Sequence, residues 1–138
     1  MTSEVYLKRM FEFVKKAGAV SLEFLPDSKP DLKPDQTVIT QADRVISKLC
    51  KEMLSDFLTD PSHILIDEED AGRAQYLNKD LLHKTKYIWS VDPIDGTRLY
   101  ANRMPTFGIS LGLLKDLKPW MGVVYFPVLN ELFFCDGQ

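Results

Sequence analysis

A strand that runs straight into a proline-aspartate turn constrains this chain more than any other feature. Residues 89–97 read WSVDPIDGT, and Tyr87, Ile88, Trp89 and Val91 form an apolar run that ends on Asp92. Pro93 fixes its own φ and pushes Asp92 into an extended conformation, so the first carboxylate is presented outward at the strand end. Pro93 also lacks an N–H, so the turn breaks the ladder and the carbonyl of Ile94 is free to point inward beside Asp92 and Asp95. Hard oxygens gathered in this way suit Mg²⁺. Gly96 lets the backbone approach a ligand closely, and a helix starting near Thr97 would offer free N–H groups to a phosphate. The same string is also an ordinary tight turn, in which proline and glycine shape the backbone and the aspartates cap amides.

The chain before this turn reads as two packing helices. Over residues 5–24 the apolar Met10, Phe11, Phe13, Val14, Ala17, Val20 and Leu22 follow a helical stripe, with Gly18 inside it as a close contact or a weak point, and Pro26 ends the run. Residues 26–36 hold three prolines and are expected to be a loop, in which Lys33 and Asp35 either reach a site or are solvated. A second helix opens on Thr40 and Asp43, which have the spacing of a capping box. Its apolar positions keep helical spacing from Ala42 through Leu49, Cys50, Met53 and Leu54 to Leu58. Asp43 is a helix cap on this reading, and Cys50 a buried, inert thiol.

His63-Ile64-Leu65-Ile66 is a short strand followed at once by Asp67, Glu68, Glu69 and Asp70. Four consecutive acids repel one another, and a solvated acidic turn is the default reading of such a run. A strand-end position like that of Asp92 would bring both acid clusters to one sheet edge, where cations would relieve the repulsion. Residues 71–86 are expected to be a loop with a short helical turn around 76–83. His63 and His83, without a paired ligand in sequence, read as surface or satisfied structural residues. The runs 107–114, 120–126 and 129–135 predict an antiparallel meander with Trp120 filling core volume.

With 45% hydrophobic and 27% charged residues, the 138-residue chain has the make-up of one soluble domain. A net charge of −3 gives no basic field for a nucleic acid polymer, so any phosphate binding must be local. There is no apolar run of membrane-spanning length, nothing resembling a signal peptide, and no metal-ligand spacing between Cys50 and Cys135. The expectation is a cytoplasmic protein with reduced thiols and no membrane partner.

Three ordered motifs then resemble the inositol monophosphatase family of metal-dependent, lithium-sensitive phosphatases: Thr40-Gln41-Ala42-Asp43, the pair Glu68-Glu69 after a strand, and WSVDPIDGT. The segment KPDQTVITQADR, which begins at Lys33, is similar to that family's mobile loop. The resemblance implies an α+β fold, a layered α/β sandwich of the sugar-phosphatase type, with two N-terminal helices packed on a mostly antiparallel sheet. It implies that residues 1–138 are a single domain matching the N-terminal half of such an enzyme. Carried over by residue, it makes Glu68, Asp92 and the Ile94 carbonyl ligands of one Mg²⁺, with Asp92 and Asp95 holding a second. Glu69 acts in a nearby shell, Asp43 and Thr97 orient the attacking water, and Gly96, Thr97 and Lys33 face the phosphate of a small metabolite. The implied activity is phosphomonoester hydrolysis; a 3′(2′),5′-bisphosphate nucleotidase fits the same motifs.

Three departures stand out. Family members read DGTxNF or DGTxxF where this chain has Thr97-Arg98-Leu99-Tyr100, so a different substrate mouth is expected. Asp67 replaces the glycine that usually precedes the paired glutamates. A later W-D-x-A-A segment with another metal-binding aspartate is absent. A non-catalytic metal-binding half-domain is therefore the alternative of a different class. An uncovered sheet edge and face leave self-association as a homodimer open.

Overall fold

The computed structural model describes residues 2–72, 74 and 78–138. Helix α1 spans Ser3–Phe24 and buries Tyr6, Met10, Phe13, Val14, Ala17, Gly18 and Ser21 along one stripe. Leu22, expected in that stripe, is exposed. At Gly18 the helix lies so close to the sheet that an added Cβ would stand 2.5 Å from Tyr125 Cε1. The glycine thus marks a close contact. Pro26 lies in a single 3₁₀ turn, Leu25–Asp27, that carries the chain off the helix end.

The expected loop is instead a small hairpin. Strands β1 (Asp31–Leu32) and β2 (Val38–Ile39) pair antiparallel, and Lys33 N–H donates to the Thr37 carbonyl at 2.8 Å. Pro34 and Asp35 form the bend, and Asp35 Oδ1 accepts from the Thr37 N–H and hydroxyl at 3.0 and 2.6 Å. Polar composition suggested a loop because two-residue strands carry too little periodicity to read.

Helix α2 (Gln41–Met53) opens on the expected Thr40–Asp43 capping box. The single long helix of the sequence reading breaks at Leu54, and a separate turn, α3 (Ser55–Leu58), follows. Arg9 reaches from α1 to the Met53 carbonyl, which an unbroken helix would use itself, and pairs with Asp56 at 2.7 and 2.8 Å. Leu54 and Phe57 both remain buried after the break.

Strands β3 (His63–Asp67), β4 (Tyr87–Asp95), β5 (Gly108–Lys115), β6 (Lys118–Phe126) and β7 (Glu131–Cys135) form one sheet in that order. Strand β3 runs parallel to β4 and all other pairs are antiparallel, so β5 to β7 make the expected meander. Two short helices connect them, α4 (Lys79–Lys84) before β4 and α5 (Thr97–Ala101) after it. Helix α4 covers the later part of the turn expected over 76–83; residues 76 and 77 lie outside the described residues. Strand β4 does not stop at Asp92 as the proline suggested. It continues to Asp95 with an irregularity in its pairing to β5 between Asp92 and Asp95.

Helices α1 and α2 cover one face of the sheet, α1 over β5 and β6 and α2 over β4. Trp89, Phe13, Met10, Ile46 and Phe57 form the centre of the resulting core. His63 is buried, bonded to the Tyr6 hydroxyl at 3.1 Å and stacked on Tyr87, so it is a satisfied structural residue. His83 is exposed, and Trp120 packs half-buried beside Tyr6. The opposite sheet face, around Ser90, Gly112, Gly122 and Val124, opens as a shallow groove, and Phe133 and Phe134 on the edge strand β7 are exposed. No helix among the described residues is long and apolar enough to cross a membrane.

Candidate metal centre

The parallel pairing of β3 with β4 aligns their ends. Asp67 lies opposite Val91, and Glu68 N–H extends the ladder by donating to the Val91 carbonyl at 3.2 Å. The backbone of the acidic turn thereby sits beside Asp92. Burial first, then the hydrogen bond and charge of Glu68 and the charges of Asp95 and Asp43, push Asp92 up to about 8. Its Oδ1 is buried with no hydrogen-bond partner. A carboxyl kept protonated by burial and by acidic neighbours is one that a cation would ionise.

Beyond Asp92, the chain turns through Gly96, whose left-handed conformation (φ 86°, ψ 47°) caps α5. Only glycine takes this conformation freely, and a Cβ would also meet Leu99 Cδ1 at 3.2 Å. The Thr97 hydroxyl lies 3.0 Å from the Ile94 carbonyl and 3.3 Å from Asp43 Oδ1. One hydroxyl proton serves only one of these acceptors at a time. When it points to Asp43, the Ile94 carbonyl is left to another partner.

Asp43 is fully buried, caps α2 as expected and stands beside Thr97. Its Oδ2 accepts from the Thr40 N–H and hydroxyl at 2.7 and 2.6 Å, capping α2, while Oδ1 faces Thr97. Burial raises its pKa against the lowering effect of these bonds. Helix α2 is thus joined to α5 through one carboxylate.

The hairpin brings Lys33 over the acidic turn, 2.8 Å from Glu69 Oε2 and 3.8 Å from Glu68 Oε1. Burial works against the ammonium, but Glu69 and Glu68 outweigh it and raise its pKa. Glu69 is itself raised, chiefly by burial and against the pull of Lys33. Lys33 thus pairs with one Glu69 oxygen, Oε2, and the other, Oε1, is buried without a hydrogen-bond donor.

Lys33, Glu68, Asp92, Ile94, Asp95, Gly96 and Thr97 line one cavity of about 310 Å³, with Asp95 exposed at its rim. Asp43 adjoins it through Thr97, and Glu69 through Lys33. Thr37, Val38 and Arg98 complete the lining, and sequence reasoning assigned Thr37 and Val38 no role of their own. Of the departure at residues 98–100, only Arg98 faces the cavity; Tyr100 is buried and donates to the Ser21 carbonyl at 2.7 Å, so it is no part of a substrate mouth. Among the described residues, no three His, Cys, Asp or Glu side chains gather closely enough to hold an ion by themselves. The buried, unpartnered Asp92 Oδ1 nevertheless lines the same cavity as Glu68, Asp95 and Ile94, and hard oxygens of this kind suit Mg²⁺.

Asp67 is where the solvated-turn reading fails. Its side chain is 1% exposed and bonded to Ser47 of α2, and Lys51 Nζ stands 3.9 Å away. The signal was present in the alternation of β3, where His63, Leu65 and Asp67 share the buried face.

Comparison with known proteins identifies the family. The sequence matches the inositol monophosphatase family over residues 4–138. The chain belongs to that family. It is 33% identical over 98% of its length to inositol monophosphatase 3 of Solanum lycopersicum, and covers 49% of that protein. It is 29% identical over 77% of its length to the 3′(2′),5′-bisphosphate nucleotidase CysQ of Haemophilus influenzae, covering 38% of it. Superposition on the inositol monophosphatase of Anabaena (Nostoc) sp. PCC 7120 gives a TM-score of 0.69 at 27% identity, over 95% of this chain and 42% of that one. The chain thus spans half or less of the length of these relatives. The helices-on-sheet α+β architecture of the family is the one observed.

Proposed function

We propose that this inositol monophosphatase family chain carries the metal-holding half of a Mg²⁺-dependent phosphomonoesterase for a small metabolite, an inositol monophosphate or a similar sugar or polyol phosphate. The observation that carries the reading is Asp92, a carboxyl at the irregular part of β4 with a buried unpartnered oxygen, crowded by Glu68 and Asp95 beside the Thr97–Asp43 pair. Glu68, Asp92 and the Ile94 carbonyl would hold one ion, and Asp92 with Asp95 a second. Ions bound there supply a water of lowered pKa and neutralise phosphate charge.

The chain's own residues do the rest. With the Ile94 carbonyl engaged, the Thr97 hydroxyl donates to Asp43, and its lone pairs face the cavity to accept a hydrogen bond from the attacking water. Asp43, held by Thr40, fixes that orientation. Gly96 and Thr97 present backbone N–H groups to the phosphate, and Lys33 balances Glu69 and Glu68 while facing the same cavity.

A bisphosphate nucleotidase is the rival substrate class, supported by the likeness to the CysQ protein. The reading of another class is a half-domain in which Glu68, Asp92 and Asp95 would bind metal without turnover. The test is Mg²⁺-dependent phosphate release from inositol 1-phosphate, adenosine 3′,5′-bisphosphate and fructose 1,6-bisphosphate, with Asp95→Asn as the blank. Release that lithium suppresses and the blank lacks is expected, and the preferred ester names the substrate class. Full activity in Asp95→Asn would show the site assignment to be wrong, and metal binding without release would favour the non-catalytic reading.

A further inference from the structure

Asp67 is held in the protein interior, as the Glu69 carboxylate is, and its two oxygens have separate partners. Oδ2 takes the Ser47 hydroxyl, with Lys51 Nζ at 3.9 Å; Ser47 and Lys51 stand four residues apart on one face of α2. Oδ1 accepts the backbone N–H of Glu69 at 2.9 Å, closing an Asx turn, and the Asp67 carbonyl accepts from Asp70 N–H at 3.1 Å. The N–H of Glu68 is fixed from the other side by the Val91 carbonyl.

We propose that Asp67 is a positioning residue for the metal-holding turn, locking the backbone that carries Glu68 and Glu69 onto helix α2. The inference rests on the metal-centre reading above. A turn after β3 needs no buried polar side chain, since glycine would shape it without burying one. What the carboxylate adds is a rigid link between two elements. Helix α2 also carries Asp43, so one helix sets the position of the Thr97 pair through its first turn and of the glutamates through Ser47 and Lys51. A ligand set divided between the turn after β3 and strand β4 keeps its spacing only if these elements are tied together, and groups behind metal ligands commonly govern affinity by such orientation.

The experiment is Mn²⁺ binding by calorimetry on the full chain, beside thermal unfolding in chelator, for wild type, Asp67→Ala, Asp67→Asn and Ser47→Ala. Asp67→Ala is expected to weaken Mn²⁺ binding roughly 10–100-fold, the range for groups that orient ligands. Ser47→Ala should shift it in the same direction by less. Asp67→Asn should restore most of the affinity, because an amide oxygen still accepts the Glu69 N–H and an amide NH₂ can bond Ser47; a purely electrostatic role predicts no such rescue. A folded Asp67→Ala with wild-type affinity, or an asparagine variant as weak as the alanine, would overturn the proposal. If Asp67→Ala does not fold, unchanged affinity in Ser47→Ala does the same. Wild-type protein that binds no Mn²⁺ would instead remove the metal-centre reading, and this inference with it.

Discussion

Asp43 offers the sharpest separation of structure from chemistry, because alanine and asparagine remove different parts of its work. Alanine deletes both bonds from Thr40 to Oδ2 and the link from Oδ1 to Thr97. Loss of a helix cap costs about 0.5–2 kcal/mol, and bonds to a charged acceptor are worth about 1.5–3 kcal/mol each before desolvation. Part of this is offset, because burial disfavours the ionised Asp43 in the folded chain. The net expectation for Asp43→Ala is a loss of about 1–2 kcal/mol, or roughly 4–8 °C in Tm for a chain of this size. Asparagine keeps one oxygen for the Thr40 N–H and is expected to lose less than about 1 kcal/mol. Its NH₂, however, would donate to Thr97 and turn that hydroxyl toward the Ile94 carbonyl. Urea unfolding therefore ranks wild type and Asp43→Asn close together with Asp43→Ala below, while Mn²⁺ binding by Asp43→Asn weakens as Thr97 competes for the carbonyl. Equal destabilisation by both substitutions, or by neither, would refute the cap geometry. Wild-type Mn²⁺ affinity in Asp43→Asn would refute the Thr97 relay.

Two further outcomes follow from specific contacts. Gly18→Ala gains about 1 kcal/mol of helix propensity but drives a methyl into Tyr125, a ring held by Asn130 at 3.1 Å and under Lys15 at 4.2 Å. Overpacking of about 1–3 kcal/mol wins, so urea unfolding should show a net loss that Tyr125→Leu relieves; a stabilised single variant would refute the close contact. Asp92 predicts proton release on metal binding. Its folded pKa of about 8 lies above the ordinary carboxylate range, so the metal-free fold binds the extra proton between that range and about pH 8. Metal-free stability accordingly falls as pH rises through this window. Calorimetry near pH 7 in buffers of different ionisation enthalpy should show roughly one proton released on Mn²⁺ binding. Equal heats in all buffers would refute the shift.

Much of this architecture is written in relations between residues a few positions apart. The Thr40–Asp43 box, the burial of Cys50, the start of α5 at Thr97 and the β5 to β7 meander each depend on hydrogen bonds or alternation within a short window. The gathering of Glu68, Asp92, Ile94, Asp95 and Thr97 was legible only because three motifs occurred together, since each alone also describes a turn or a cap. Sequence reasoning failed where the deciding partner lies far along the chain. The Met53 carbonyl, at the break in the second helix, is taken by Arg9 from 44 residues away; the loop around Lys33 was misread for a different reason, because its hairpin is too short for a periodic signal.

Local sequence by itself determined which atoms stand at each strand end and helix start, because backbone geometry relates a residue to neighbours up to about four positions off. Tertiary structure alone decided what those atoms became. Helix α2 lies on the face of β3 that Asp67 occupies, which turned a solvated acid into a buried strut. Thr97 and Asp43, 54 residues apart, met only through the packing of α2 against β4 and the turn of α5. Burial and charge pairing depend on which elements cover which faces, and no short window of sequence contains that information.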